Sequence, residues 1–139
     1  MKILIVDDVL ENRILLNSFL KSYGYCDLVD NGTSAVVMFV SGFEEEEPYD
    51  LILLDIAMPG MDGQEILRRM REIERENGVT SEEQTPIIMV TAVDATTEVA
   101  EAFQGGCTGY LNKPISRAKL LVKLSELGLI SSDWWKENR

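Results

Sequence analysis

Leu51-Ile52-Leu53-Leu54-Asp55-Ile56-Ala57-Met58-Pro59-Gly60-Met61-Asp62-Gly63 is the stretch that decides the fold. Its first four residues are apolar without alternation and too few for a helix, which is the pattern of a strand buried on both faces. The run ends on a carboxylate, Asp55, and Pro59-Gly60 punctuates the chain. Beyond it Ile66, Leu67, Met70 and Ile73 recur at helical spacing. Outward from this unit the same grammar repeats. Apolar runs at Lys2 to Val6, Tyr25 to Val29, Ile87 to Val90 and Gly109 to Leu111 read as four further strands, and Leu10, Ile14, Phe19 and Leu20 mark the first intervening helix. Strands that alternate with helices pair in parallel through right-handed crossovers, because a parallel neighbour is reached only by a long connection that covers the sheet. The predicted class is α/β, with a five-stranded parallel sheet.

Punctuation between the elements agrees. Asn31-Gly32 reads as a turn, Asn77-Gly78 closes the third helix, and Ser116 caps the fifth just after Pro114. Glu44 to Glu47 is a solvated loop, and the polar connection from Gly78 to Pro86 reads as a surface insertion. A chain of 139 residues suits one domain with its own core. The expected organisation is a domain over residues 1–129 and a tail over 130–139. Trp134 and Trp135 in that tail either anchor a partner or fold back on the last helix.

Composition narrows the function. A net charge of −11, with no run of Lys or Arg, repels phosphate backbones and argues against direct nucleic-acid binding. No apolar run is long enough to span a bilayer, and the N-terminal run stops at Asp7-Asp8 without a cleavage site, so the expected address is cytoplasmic. Cys26 and Cys107 lack partners at metal spacing and read as reduced thiols. The chain has no histidine, which removes Ser-His and Cys-His hydrolysis and leaves any phosphohistidine to a partner.

In an open parallel sheet the ligand site forms at the carboxyl ends of the strands. Asp7 and Asp8 follow the first strand, Asp55 ends the third, Thr91 ends the fourth and Lys113 follows the fifth. Taken singly, each has an ordinary explanation as a cap, a turn former or a surface charge. Taken together, three crowded carboxylates call for a hard cation with oxygen ligands, and Mg²⁺ suits them.

Four motifs complete the pattern: Ile-Leu-Ile-Val-Asp-Asp at 3–8, the stretch 51–63 quoted above, Ile-Met-Val-Thr-Ala at 88–92, and Gly-Tyr-Leu-Asn-Lys-Pro at 109–114. With them the chain resembles the response-regulator receiver family, from Met1 to about Leu127, and most of all its stand-alone chemotaxis-regulator type. The resemblance implies a flavodoxin-like three-layer sandwich with strand order 2-1-3-4-5, helices one and five on one face and two, three and four on the other. It implies Asp55 as phosphoryl acceptor, Asp8, Asp55 and the Ala57 carbonyl as direct Mg²⁺ ligands, and Asp7 acting through water. It further implies Lys113 and Thr91 on the phosphoryl group, Tyr110 as a switch residue, and output through the face of the fourth helix, fifth strand and fifth helix. A cis Lys113-Pro114 peptide would aim the lysine. The implied partners are a sensor histidine kinase or a histidine phosphotransfer protein and a downstream target protein, with a phosphorylation-dependent homodimer left open.

Two other readings compete. A receiver-like scaffold that is never phosphorylated would be expected to lose an acid, the Thr or the Lys, and all are present. A Mg²⁺-dependent phosphoaspartate phosphotransferase would need a general acid two residues past the nucleophile, where this chain has Ala57. Ala57 and Val93, two past Thr91, overlook the water approach in receivers and have no side-chain hydrogen-bonding group, so slow self-dephosphorylation is expected.

Overall fold

In the computed structural model, which describes residues 1–58, 60–92 and 96–137, five strands alternate with five helices. They are β1 (Lys2–Val6), α1 (Leu10–Leu20), β2 (Tyr25–Val29), α2 (Gly32–Glu44), β3 (Leu51–Asp55), α3 (Gly63–Glu76), β4 (Ile87–Thr91), α4 (Thr96–Gln104), β5 (Gly109–Asn112) and α5 (Arg117–Glu126), with a last turn, α6 (Trp134–Glu137). The sheet is parallel throughout and its order is β2-β1-β3-β4-β5. A separate two-residue antiparallel ribbon joins Ala57–Met58 to Met61–Asp62 between β3 and α3.

Every residue of β3 and β4 is buried, which is why these segments carry apolar runs rather than alternation. Period-two geometry then deals their side chains to opposite faces. Leu4, Val6, Ile52, Leu54 and Met89 form one core with Phe39, Ile66, Leu67, Met70 and Ala102, from α2, α3 and α4. Ile3, Ile5, Leu51, Leu53 and Val90 form the other with Leu16, Leu20, Leu120 and Leu124, from α1 and α5. The helices therefore stand on the faces that the resemblance implied.

Local signals fare unevenly. Asn77 caps the end of α3 with Gly78 at φ +73, and the Ser116 hydroxyl accepts from Lys119 N at 3.1 Å. Asn31 lies in the two-residue bend between β2 and α2. Its side chain caps α2 by accepting from Ser34 N at 2.8 Å, and Gly32 is already helical. The 78–86 connection is mostly exposed, yet Thr85 is buried. The cause is a buried ion pair: Arg71 Nη1 donates to Glu74 Oε1 at 2.7 Å and to the Thr85 carbonyl at 2.8 Å, Thr85 N donates to Glu74 Oε2 at 2.8 Å, and Arg71 Nε donates to the Gly106 carbonyl at 2.9 Å. At the opposite face the chain's end folds back. Leu127, Leu129, Ile130 and Trp134 pack against the α1/α5 core, while Trp135 stays half exposed.

Removing one partner of a buried ion pair strands a charge, which costs about 3–5 kcal/mol. Glu74→Ala is accordingly expected to lower unfolding free energy by about 3 kcal/mol or more, and Arg71→Met/Glu74→Leu together to recover only part of the loss, because the Thr85 N–H and the Thr85 and Gly106 carbonyls lose their partners. Urea titration of the single and double variants checks this.

Candidate functional site

Register brings the site together. Val6 pairs with Leu54, so Asp7 and Asp55 leave the sheet at one level. Asp55 pairs with Val90 and Thr91 with Asn112, which sets Thr91 and Lys113 one step further on. All five residues expected at the site from their strand-end positions thus lie along one edge.

Asp7, Asp8 and Asp55 each place a carboxylate oxygen within 4.8 Å of the others. Asp7 and Asp55 are buried and Asp8 is exposed. The Lys113 ammonium reaches both buried acids, at 3.3 Å from Asp7 Oδ2 and 3.2 Å from Asp55 Oδ2. Asp7 Oδ2 is a buried atom without a well-formed hydrogen bond, so that ion pair is its partner. Asp7 Oδ1 accepts from Val9 N at 2.9 Å and is approached by Asn12 Nδ2 at 3.4 Å. Asp55 Oδ1 accepts from Ala57 N at 3.1 Å. Thr91 is buried at the end of β4, and its carbonyl accepts from Lys113 N at 2.6 Å. Lys113-Pro114 is cis. Tyr110 is half-buried two residues before Asn112 on β5 and meets Phe103 of α4 edge to face. Val93 lies outside the described residues.

Burial raises the Asp55 pKa above its ordinary value, and the nearby Asp7 charge adds to this; Lys113 and the Ala57 N–H oppose the rise without cancelling it. Burial alone would lower the Lys113 pKa, but Asp55 and Asp7 outweigh it and raise it. The two shifts are consistent: one ammonium gains from two carboxylates, whereas each carboxylate has half of one ammonium. Three acids against one base leave the cluster net negative. All its acidic donors are oxygens and one is not fully satisfied, which fits a hard divalent cation.

Two residues to which the sequence reading gave no role support this edge. Arg13 Nη1 donates to the Asp7 carbonyl at 2.7 Å from α1. Gly63 lets the start of α3 come close to the end of β3; a Cβ there would stand 2.5 Å from the Asp55 carbonyl oxygen and 2.7 Å from Ile56 Cα. The Asp62-Gly63 pair was a legible signal for Gly63, whereas nothing in the spacing of α1 marks Arg13.

Residues 3–125 match the family described as response regulator receiver domain. The chain belongs to that family. Chemotaxis protein CheY of Pseudomonas aeruginosa is 35% identical over 129 residues, covering 91% of this chain and 95% of CheY. Transcriptional regulatory protein ResD of Bacillus subtilis is 37% identical over 127 residues, but the chain spans only 47% of ResD. Among solved structures, the receiver domain of the histidine kinase CKI1 from Arabidopsis thaliana, complexed with Mg²⁺ and BeF₃⁻, shares 30% identity over 91% of this chain and 89% of that one, with a TM-score of 0.77. The CheX-CheY-BeF₃-Mg²⁺ complex from Borrelia burgdorferi contains a chain with a TM-score of 0.79 at 25% identity, covering 94% of this chain and 90% of that one. Receiver domains of two-component systems are phosphoryl-accepting signalling switches rather than enzymes of the ordinary kind. Among the described residues no helix is long and apolar enough to cross a membrane.

The raised Asp55 pKa has a stability consequence. A carboxylate that binds its proton more tightly when folded makes stability fall as pH rises from 3.8 through the folded pKa. Above that window the ionised Asp55 is a liability to the fold. In chelator-treated buffer Asp55→Asn is expected to melt above wild type at pH 7, with the gap closing as pH falls toward 3.8. Thermal melts across that range read the effect.

Proposed function

We propose that Asp55 accepts a phosphoryl group from the phosphohistidine of a sensor histidine kinase or histidine phosphotransfer protein, and that the modified chain signals to a downstream protein through the α4-β5-α5 face. The observation that carries this reading is the buried Asp55 carboxylate, 3.2 Å from Lys113 and within one acidic cluster with Asp7 and Asp8. A carboxylate is already ionised at neutral pH and attacks without a general base, which a histidine-free chain could not easily supply. The P–N bond of the donor breaks as a P–O bond forms to Asp55, and the imidazole leaves with a proton from solvent. Mg²⁺, held by Asp8, Asp55 and the Ala57 carbonyl with Asp7 acting through water, would neutralise charge on the transferring oxygens. Lys113 exchanges its Asp55 partner for a phosphoryl oxygen, and the Thr91 hydroxyl donates to another. Tyr110 then follows Thr91, altering the output face.

We assign the chain to the cytoplasm, in keeping with its two free thiols, and treat residues 1–129 as the receiver unit with 130–139 as a tail. Ala57 is exposed and small, and its methyl group cannot orient a hydrolytic water. Self-dephosphorylation is therefore slow and the lifetime is set by partners.

Incubation with acetyl phosphate and Mg²⁺ is expected to add one phosphoryl mass to wild type and none to Asp55→Asn or Asp8→Ala, read by intact-protein mass spectrometry. Modification of Asp8→Ala at the wild-type rate would remove the metal assignment. Ala57→Asn is expected to shorten the phosphoryl half-life several-fold, since its amide can hold water in line. An unchanged half-life would refute that account of resetting.

A further inference from the structure

Phe103 is a large apolar side chain left 49% exposed on the last turn of α4, where core packing does not account for it. Its ring meets Tyr110 edge to face, with centroids 5.9 Å apart and planes at 85°. Tyr110 in turn is half-buried against the core that includes Ala102 and Cys107. The turn that follows α4 is held independently, because the buried Arg71 guanidinium binds the Gly106 carbonyl at 2.9 Å and a Cβ at Gly106 would crowd the same side chain at 3.3 Å. Phe103 therefore stands on a fixed support while it touches the ring of Tyr110. The Lys113 ion pairs to Asp7 and Asp55 are both formed, so the contact belongs to the unmodified state of the acceptor.

The geometry points to Phe103 as a positioning residue that holds Tyr110 in its resting place and so sets how readily the acceptor site switches. This rests on the reading of Asp55 as acceptor and Tyr110 as switch. A pair of aromatic rings in this geometry favours the arrangement that contains it, and moving Tyr110 away forfeits the contact. The edge-to-face attraction depends on the ring quadrupole, so an aliphatic side chain of similar bulk does not replace it. Because Phe103 is also half exposed, a partner that covers it would act on the same equilibrium, and reciprocity requires acceptor-site ligands to change that partner's affinity.

The test titrates beryllofluoride into the full chain at saturating Mg²⁺, by calorimetry, for wild type, Phe103→Leu and Phe103→Tyr. Loss of the aromatic pair is expected to raise beryllofluoride affinity in Phe103→Leu by about 2- to 12-fold, from the usual worth of such pairs. Phe103→Tyr keeps the wild-type value. Affinity for Mg²⁺ alone is the same in all three, which separates a switch effect from damage to the acidic cluster. Equal or weaker beryllofluoride binding in Phe103→Leu, with Mg²⁺ binding intact, overturns the role given to Phe103 and leaves the acceptor reading standing. Absence of beryllofluoride binding in wild type as well overturns the acceptor reading and the inference with it.

Discussion

One ammonium group serves two buried carboxylates. Lys113 lies 3.3 Å from Asp7 and 3.2 Å from Asp55, and neither acid has a cation of its own. Burying two like charges so close is tolerable only where something offsets both desolvation and repulsion. Much of the architecture follows from that demand. β5 must lie beside β4, with Thr91 opposite Asn112, for the lysine to arrive from the far side of the sheet. β1 and β3 must be adjacent for the acids to share it. Both faces of the sheet are sealed by apolar cores, so the charges lie at the one edge where strands end and water or a cation has access.

The molecule holds a second buried ionic cluster, and the contrast between the two is informative. Arg71 and Glu74 are hydrogen-bonded to each other and to the backbone of Thr85 and Gly106. A network with its bonds satisfied rigidifies what it touches, here α3, the end of the 78–86 connection and the turn after α4. The Asp7, Asp8, Asp55 and Lys113 cluster is net negative and retains a carboxylate oxygen without a good hydrogen bond. The first is complete as folded, and the second is poised for a ligand. The first also fixes the turn that follows α4, through the Gly106 carbonyl.

The fold was legible because β3 and β4 bury both faces, which forces apolar runs, and because crossovers force alternation. The site was legible because the acids and Lys113 follow those runs directly, so locating the strands located the charges. What escaped was set by tertiary approach. The Asn31 amide serves a helix cap or a turn equally well, and the register of α2 on the sheet decides between them. Thr85 is buried where the Arg71–Glu74 ion pair, formed on α3, takes up its backbone carbonyl and N–H from fourteen and eleven positions away, and a short polar connection carries no mark of that. Arg13 on α1 and Phe103 on α4 look like ordinary surface residues until the Asp7 carbonyl and the Tyr110 ring are seen beside them.

A signalling switch needs two states of nearly equal free energy, since each factor of ten in their ratio is worth only about 1.4 kcal/mol. Strong interactions are unsuited to tuning such a balance. The Arg71–Glu74 pair, whose loss costs several times that amount, can define a support but cannot be exchanged on each cycle. Contacts worth about 0.5–1.5 kcal/mol, such as one edge-to-face aromatic pair, lie in the useful range. Phe103 and Tyr110 make a contact of that size between the fixed end of α4 and the strand that leads into Lys113. On the proposed reading the path from Asp55 to the surface is short: Thr91 to Tyr110, and outward to the Phe103 ring that Tyr110 touches and that solvent or a partner can reach.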